Sequence, residues 1–382
     1  MKPAGILPSQ LLREAAKAGA ISACREIEQD QYQPASLDLR LGRRAWRVRA
    51  SFLPAPDGAV AERIDRHAMH EIDLAGGAVL ERGCVYIAEL MERVALDADT
   101  AVIANPKSST GRLDVFARLI ADRVPEFDRL PAGYAGRLYV EIAPRTFSIL
   151  VREGTRLVQL RLRRGTQSGD DPALRDLHAR EALVDSEAVI DDGLVLTVDT
   201  RGSGGVIAWK ARAHAGLVDV ERIGHYDPEH YWEPVSARPG RGIVLNPDDF
   251  YILASKEAVS IPPDYAAEMR PYDTRVGEFR VHYAGFFDPG FGYGTRSRAV
   301  LEVRAHDVPF VVEDGQPVGR LVYERMLERP DKLYGESIGS SYSGSETSGQ
   351  IAFSLYGGSI GSTYHEQGLR LGKQFREPRG TG

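Results

Sequence analysis

The sequence predicts a mainly β protein made of two tandem barrel-like domains with a few short helices. Three observations support this fold class. Short apolar runs such as "RLYVEIA", "FSILV" and "RLVQLRL" are separated by Gly, Pro and Asp, as in β-sandwich and barrel domains. Similar runs, such as "RAVLEVRA" and "GRLVYERM", follow in the second half of the chain. Few segments have the periodicity of a helix.

The recurrence becomes clear when the chain is aligned with itself. "LERGCVYIAELMERVAL" from Leu80 lies over "LNPDDFYILASKEAVSI" from Leu245, at an offset of 165 residues. "VREGTRLVQL" lies over "VEDGQPVGRL", which brings Glu141 into register with Glu302. The alignment predicts one β domain that has been duplicated. We expect a first domain at 1–170, a linker at 171–190, a second domain at 191–332 and a tail at 333–382.

Outside the β-like runs, the sequence predicts three helices and an irregular tail. The helices are expected at 9–18, 112–120 and 172–183, with Ser9 as the first N-cap and Gly19 as the first stop. In the tail, "LYGESIGSSY" recurs as "LYGGSIGSTY" after 22 residues. Its Gly and Ser content is typical of a flexible segment. The alternative is a mobile flap whose hydroxyl and N–H groups close over an anion.

Composition excludes several classes of protein. The chain has 382 residues, of which 43% are hydrophobic and 27% charged, as in soluble globular proteins. Its net charge of −6 argues against a nucleic-acid partner, which needs a basic footprint. Two cysteines, Cys24 and Cys84, are typical of a reducing compartment. The N-terminal stretch has no apolar run of signal-peptide or membrane-span length. We therefore expect a cytoplasmic protein with no membrane partner.

Common nucleotide and metal motifs do not fit the sequence. There is no GxxxxGK[ST] loop, and "GFGYG" at 290–294 opens no predicted helix, which argues against a dinucleotide fingerprint. The H-x-E and P-C-x-x-C pattern of zinc deaminases is also missing. His67 and His70 leave a metal pair open as an alternative. The other histidines are scattered, so the sequence predicts no metal centre.

The stretch "NPKSSTGRLD" at 105–114 concentrates hydroxyl groups and positive charge. Lys107, Ser108, Ser109 and Arg112 lie within six residues. Such a run offers many donors to a chain of phosphates. The alternative is a helix start capped by a serine. The two interpretations are compatible, because helix N-termini bind phosphate.

A glutamate inside a β-like run is the candidate proton carrier. Glu141 stands among apolar residues in "LYVEI". If it points inward it is desolvated and can exchange protons near neutrality. The alternative is an alternating strand in which Leu138 and Val140 point inward and Glu141 points to solvent. The recurrence at Glu302 favours a buried role, although a duplicated surface residue would recur too.

Four segments taken together resemble the signature of metal-independent dCTP deaminases, which share a superfamily with the dUTPases. They are "QPASLDLRLG" (33–42), "KSSTGRLDV" (107–115), "ADRVP" (121–125) and "LYVEIA" (138–143). The resemblance extends over about 30–165 and, more loosely, over 240–345. It implies two dUTPase-like distorted β-barrel or jelly-roll domains. It also implies assembly as a trimer.

The resemblance implies roles residue by residue. Catalytic roles fall on Glu141, Ser108, Arg112, Arg123 and Ala121. Substrate contacts fall on Lys107, Ser108, Ser109, Arg112, Asp128, Asp288 and Tyr334. Glu141 matches the general acid and base, and the carbonyl of Ala121 matches one that holds the attacking water.

Both copies depart from the family pattern. The first copy has Pro125 where the family has the aspartate of an Asp-Pro-Gly turn, and Asp128 is the nearest replacement. The second copy has Pro271 and Tyr272 in place of the serines and Phe286 in place of the second arginine. It keeps Arg270, Arg275, Ala284, Asp288 and Glu302. In the tail, Ser341 replaces a basic residue seven positions after Tyr334. The first copy is therefore expected to be catalytic, and the second degenerate.

A composite site is the alternative. Family sites form between neighbouring subunits, so the serines and Arg112 of the first copy could work with Asp288 and Glu302 of the second. The implied reaction is hydrolytic deamination of dCTP to dUTP and ammonia without zinc, with Mg²⁺ only as a companion of the triphosphate. A dUTPase or a bifunctional deaminase and diphosphatase is the nearest alternative. A non-catalytic nucleotide-binding regulator is an alternative of another class. Regulation by dTTP is left open.

Overall fold

The computed structural model describes residues 3–165, 170–202, 205–237, 242–271, 279–281, 285–305, 307–335 and 369–378. Within these ranges the chain forms 24 strands, four α-helices and two short 3-10 turns, so the predicted mainly β class is confirmed. Tyr272, Arg275, Ala284 and Ser341 lie outside the described residues, as does the repeated Gly/Ser segment of the tail beyond residue 335. None of the described helices has the length and apolar character needed to cross a membrane.

The first half of the chain carries twelve strands and three α-helices. In chain order these are β1 (Gly5–Ile6), α1 (Ser9–Lys17), β2 (Ile21–Ala23), a 3-10 turn (Gln29–Gln31), β3 (Leu37–Val48), α2 (Val60–His67), β4 (Ala68–Asp73), β5 (Ala78–Leu80), β6 (Val85–Ala95), β7 (Thr100–Pro106), α3 (Ser108–Gly111), β8 (Val115–Ala121), β9 (Arg129–Leu130), β10 (Ala135–Pro144), β11 (Ile149–Val151) and β12 (Arg156–Arg164).

The second half carries the remaining twelve strands and one α-helix. In chain order these are α4 (Asp171–Arg180), β13 (Leu194–Thr197), β14 (Val206–Ala211), β15 (Val218–Asp219), a 3-10 turn (Pro228–His230), β16 (Trp232–Ser236), β17 (Ile243–Leu245), β18 (Tyr251–Val259), β19 (Tyr265–Pro271), β20 (Phe279–Val281), β21 (Phe286–Phe287), β22 (Ser297–Ala305), β23 (Phe310–Val312) and β24 (Pro317–Arg325).

The order of strand pairing in the second half follows that in the first. The large sheet of the first half runs β8-β10-β6-β3-β12-β7-β9. In the second half, β20-β22-β18-β14 and β13-β24-β19-β21 follow the same order in two separate sheets. In the first half the long strand β3 pairs with both β6 and β12 and so joins them in one sheet. In the second half two separate strands take its place. β14 pairs with β18 and β13 pairs with β24, so the sheet is divided in two. This correspondence supports the predicted duplication.

The two halves share a hydrophobic core. The larger cluster contains Phe147 of the first half together with Trp232 and Phe250 of the second, and it also contains Leu371 and Phe375 of the tail. The rings of Phe147 and Trp232 lie 5.4 Å apart. The two halves are also joined by backbone hydrogen bonds, because β15 of the second half pairs in parallel with β11 of the first. Burying such a side chain contributes about 1.5–3 kcal/mol. The core of the first half is therefore stabilised in part by side chains of the second half and the tail.

The predicted linker is an ordered part of the fold. Helix α4 occupies half of it, and its Asp170 N-cap accepts a hydrogen bond from the Ala173 amide at 2.9 Å. Leu174 and Leu177 are buried in a second hydrophobic cluster formed by strands of the second half. The segment at 171–190 is therefore packed against the second half of the chain.

The predicted helices have mixed outcomes. Helix α1 lies where the sequence placed it, but Pro8 rather than Ser9 is its N-cap. The helix predicted at 112–120 is wrong, because β8 occupies 115–121 and pairs along its whole length with β10. Segments such as "VFARLIA" suit a strand that packs on both faces, and pairing with β10 decides between the two structures. Helix α2 carries no strong sequence signal and was not predicted.

Candidate active site

The phosphate-like stretch forms one tight helical turn between β7 and β8. The backbone amides of Thr110 and Gly111 donate to the Lys107 carbonyl at 2.8 and 3.0 Å. Lys107 is the N-cap of α3, and within the described chain no side chain caps this helix. The alternative of a helix start is therefore confirmed, but neither Ser108 nor Ser109 is its cap. Ser108 is exposed and Ser109 is buried. The turn leaves the Ser108 hydroxyl accessible to a ligand.

The turn places Arg112 next to a buried glutamate of the second half. Arg112 is 1% exposed, and its Nε lies 3.9 Å from Oε1 of Glu302 on β22. Its Nη1 donates to the Arg370 carbonyl of the tail at 3.0 Å. Burial raises the pKa of Glu302 to about 7, and the charge of Arg112 partly opposes that shift. A carboxyl group that titrates near neutrality is suited to take up and release protons.

Glu141 lies in a different environment. It is fully buried, so it points inward as predicted, and the alternative in which it points to solvent is wrong. Its Oε1 accepts a hydrogen bond at 3.1 Å from Nε of Arg118, the residue directly opposite on β8. Its Oε2 accepts none from any residue in the described ranges. Arg118 also stacks on the ring of Phe127, with its guanidinium carbon 3.8 Å from the ring centre. The structure therefore pairs Glu141 with Arg118 and Arg112 with Glu302.

Ala121 and Arg123 lie at the far end of β8 from the Arg112 turn. The six residue steps from Val115 to Ala121 span about 20 Å of strand. Arg123 is exposed, has a positive φ of 62°, and donates its backbone N–H to Gly58 at 2.9 Å. Within one chain, the structure does not bring these two residues together with Arg112.

Asp128 belongs to the surroundings of Glu141. Its Oδ1 accepts a hydrogen bond from the Leu119 amide at 2.7 Å. Burial raises the pKa of Asp128 to about 7; the Leu119 hydrogen bond and Arg118 oppose the shift, and the charges of Glu141 and Glu268 add to it. The structure therefore places Asp128 beside Glu141 and not beside Arg112.

Asp288 and Tyr334 are held together at the turn that follows β21. Asp288 Oδ1 accepts a hydrogen bond at 2.9 Å from Nη2 of the buried Arg161, which belongs to the first half. Tyr334 packs on Phe291, with ring centres 5.3 Å apart. Gly290 permits this approach, because a Cβ there would lie 2.8 Å from the Leu333 side chain and its φ is 93°.

Electrostatics connect Asp288 to the Lys107 turn. Burial raises the pKa of Asp288, the cations Arg161 and Lys332 oppose this, and the negative charge of Asp38 adds to it. Asp38 is in turn ion-paired with Lys107. Asp288 and the Lys107 turn therefore face a common region between the two halves.

Lys373 also belongs to this region, and no sequence pattern predicts its place here. Burial lowers the pKa of Lys373, and the positive charge of nearby Lys107 lowers it further. The tail is fixed here because Gly224 N donates to the Lys373 carbonyl at 2.9 Å and Gln374 Nε2 donates to the Val220 carbonyl at 3.0 Å. Two half-buried lysines in one region favour an anionic ligand. A lone lysine in a polar tail carries no motif from which this could be predicted.

The part of the chain that the structure describes contains no group of three or more His, Cys, Asp or Glu side chains arranged to hold a metal ion. His67, one member of the alternative metal pair, uses Nδ1 to accept a hydrogen bond from Arg49 Nε at 3.2 Å.

Comparison with known proteins agrees with the fold. Residues 3–166 match the family described as "2'-deoxycytidine 5'-triphosphate deaminase (DCD) N-terminal domain", and residues 170–349 match the corresponding C-terminal domain. The crystal structure of 2'-deoxycytidine 5'-triphosphate deaminase from Agrobacterium tumefaciens is 53% identical and superposes with a TM-score of 0.82. That match covers 86% of this chain and 99% of that one.

Shorter curated relatives match part of the chain. The "dCTP deaminase, dUMP-forming" of Kocuria rhizophila is 29% identical over 136 residues, which is 34% of this chain and 69% of the relative. The protein of the same name from Halobacterium salinarum is 29% identical over 139 residues, which is 35% of this chain and 68% of the relative.

The mainly β architecture and the matched domains define a protein of the dUTPase-like superfamily. Within that superfamily, the chain belongs to the dCTP deaminase family. The resemblance stated from the four sequence segments is confirmed.

The raised pKa of Glu302 predicts a stability effect that depends on pH. The folded protein holds the Glu302 proton up to about pH 7, whereas a free glutamate loses it near pH 4.3. The contribution of Glu302 to the free energy of unfolding therefore falls as pH rises between these values, by an amount on the order of 3 kcal/mol. Glutamine is neutral throughout, so Glu302→Gln should raise Tm relative to wild type more at pH 8 than at pH 5.

Thermal melts of both proteins at the two pH values measure this difference. Glu126→Gln, at an exposed position, is the control and should show little change. An equal Tm difference at both pH values would contradict the prediction.

Proposed function

We propose that the chain hydrolyses the C4 amino group of dCTP at a composite site between its two halves, releasing ammonia and a deoxyuridine nucleotide. The observation that carries this proposal is the contact between buried Glu302 and Arg112 beside the Lys107 turn. It favours the composite alternative over a site built from the first half alone, because Glu141 is already ion-paired with Arg118.

In this mechanism Glu302 moves the protons. A water molecule attacks C4 of cytosine, and Glu302 accepts its proton and passes it to the ring nitrogen. The C4 hydroxyl of the resulting tetrahedral intermediate then loses its proton, and Glu302 passes that proton to the amino group. The C4–N bond breaks, ammonia leaves and the C4 carbonyl forms. General acid–base help of this kind is worth about 10²–10⁴-fold. A pKa near the working pH suits a group that must both accept and donate.

The cations and hydroxyls of the first half would hold the phosphates. Lys107, Ser108 and Ser109 lie on one turn, and Lys373 adds a second cation from the tail. Charge-assisted hydrogen bonds to phosphate are the strong ones, which suits a triphosphate. Lys107 now pairs with Asp38, so a ligand would compete with that carboxylate. Asp288 and Tyr334 flank the same region from the second half.

Mg²⁺ fits this site as a companion of the substrate. The described residues offer no protein cage for a metal, and Mg²⁺ is commonly held by substrate phosphates with one or two carboxylates. The ion would neutralise phosphate charge, and the proton transfers would remain with Glu302.

A second candidate function differs in the product. The shorter relatives are named dUMP-forming, which favours a bifunctional enzyme that also removes pyrophosphate. Incubation of the purified chain with dCTP, followed by measurement of ammonia, uridine nucleotides and pyrophosphate, separates these outcomes. Ammonia with dUTP indicates deamination alone, and ammonia with dUMP and pyrophosphate indicates the bifunctional reaction. Pyrophosphate from dUTP without ammonia from dCTP would indicate a dUTPase, and binding without turnover would indicate a regulator.

Assembly, location and regulation belong to the same proposal. The trimer is an expectation from the family resemblance, the cytoplasmic location is an expectation from composition, and regulation by dTTP is left open. Sedimentation equilibrium would measure the assembly, and dCTP kinetics with added dTTP would measure the regulation.

Activity should survive the removal of zinc. The reason is that neither the sequence pattern nor the described residues provide a zinc ligand set. Dialysis against a chelator, followed by assay with Mg²⁺ alone, should restore full ammonia release. Stoichiometric zinc in the active protein, lost together with activity on chelation and restored only by zinc, would overturn the mechanism.

A further inference from the structure

Arg304, a buried arginine of β22, reaches from the second half into the first. Arg304 Nε donates to Oδ2 and Oδ1 of Asp114 at 3.0 and 3.2 Å, and Nη2 donates to the Thr146 hydroxyl at 2.8 Å. The Thr146 hydroxyl donates to the same carboxylate at 2.6 Å. Nη1 donates to the Asp248 carbonyl at 2.6 Å. The Asp114 side chain has no exposure, and that of Arg304 has 7%.

Each member of this ion pair is close in sequence to one residue of the proposed site, Arg304 to Glu302 and Asp114 to Arg112. Glu302 and Arg304 are two residues apart on β22, so their side chains leave the same face about 7 Å from each other. Asp114 follows Arg112 by two residues. The Asp114 backbone is fixed by two hydrogen bonds. Its amide donates to the Gly111 carbonyl at 2.8 Å, and its carbonyl accepts from the Arg145 amide at 2.9 Å. The pair therefore ties the Arg112 turn to the Glu302 strand.

A buried ion pair is weak support for stability, because desolvation offsets much of the attraction. Its geometry is specific, however, because Nε and Nη2 of the planar Arg304 guanidinium both donate to the Asp114 carboxylate. Lysine offers the same charge without the fork. A contact of this kind fixes the relative position of two elements.

We propose that Asp114 and Arg304 are positioning residues that set the approach of Arg112 to Glu302 across the two halves. The proposal rests on the proposed function of that site. Neither residue touches the reacting atoms. Their role is to hold the cation and the acid–base carboxyl in one arrangement, to which turnover is sensitive at the scale of 1 Å.

The test compares Arg304→Lys and Asp114→Asn with a matched control. Arg163 and Glu324 form another ion pair between the halves, at 2.5 Å, and lie outside the proposed site. Arg304→Lys should lower kcat for dCTP at least tenfold and leave KM within about threefold. The rise of kcat with pH should move to higher pH, because Glu302 loses the aligned charge of Arg112. Arg163→Lys should lower Tm and leave kcat and its pH profile unchanged.

Thr146→Val is the milder variant in case the others do not fold. It removes one hydroxyl from the network and should lower kcat by a few fold. A lowered Tm with wild-type kcat and pH profile in all folded variants would overturn the positioning role. Failure of the wild-type chain to release ammonia from dCTP would instead remove the proposed function.

Discussion

Glu302→Gln should lower dCTP turnover at least about 10²-fold and leave nucleotide binding nearly unchanged. Glutamine keeps the shape of the side chain and removes its ability to carry a proton. Glu302 is buried, lies 3.9 Å from Arg112 and has a pKa raised to about 7. Those properties match a group that must accept a proton from water and release it to the base. Steady-state ammonia release and nucleotide titration of the purified variant measure the two effects separately.

Glu141→Gln is the matched control, because it makes the same chemical change at the equivalent position of the first half. Its partner is Arg118, so we expect dCTP turnover to fall much less. Removal of the Glu141 carboxylate leaves Arg118 without its ion pair, and a lower Tm is the expected result. If the Glu141 variant were inactive and the Glu302 variant active, the catalytic role would return to Glu141.

Arg112→Ala should lower kcat/KM by more than about 10²-fold. A charge-assisted hydrogen bond contributes roughly 1.5–3 kcal/mol, so loss of one bond to a phosphate weakens binding about tenfold or more. The same change removes the cation that opposes the raised pKa of Glu302. Glu302 would then hold its proton at neutral pH and could not accept one from water. The pH profile of kcat should therefore move to higher pH in this variant.

Arg112→Lys and Ser108→Ala complete that experiment. Lysine keeps the charge beside Glu302 and should recover part of the pH profile. Ser108→Ala should weaken nucleotide binding less than Arg112→Ala does. If the Ser108 hydroxyl organises the attacking water, this variant should lower turnover more than it weakens binding. Melting temperatures must accompany the kinetics, since loss of a buried charge can cost about 3–5 kcal/mol. Lower Tm with wild-type kinetics in both alanine variants would mean that the turn has only a structural role.

The sequence predicts the strands well because their local pattern is strong. It could not identify which glutamate faces Arg112. "LYVEI" and "AVLEV" are equivalent in their local pattern, and both glutamates are buried on central strands. The difference lies in how the two halves pack, which brings β22 to the Arg112 turn and leaves β10 beside Arg118. Packing between halves depends on residues far apart in the chain, so no local pattern reports it.

Two other misses have a similar cause. The segment at 112–120 has apolar residues that suit either a helix or a doubly buried strand, and pairing with β10 decides in favour of the strand. Lys373 follows a long polar stretch, and its place beside Lys107 depends on the tail returning to the first core. In contrast, the sequence predicts the Lys107 turn because its four candidate side chains lie within six residues.

The shared core has a consequence for synthesis of the protein. Strands of the first half appear early in translation, but Trp232, Leu371 and Phe375 belong to the cluster that those strands enclose. A nascent chain that has reached residue 300 still lacks two of the side chains that fill this cluster. Such a chain presents apolar surface that chaperones recognise and that promotes aggregation. The strands of the first half are therefore synthesised well before the C-terminal side chains that complete their core.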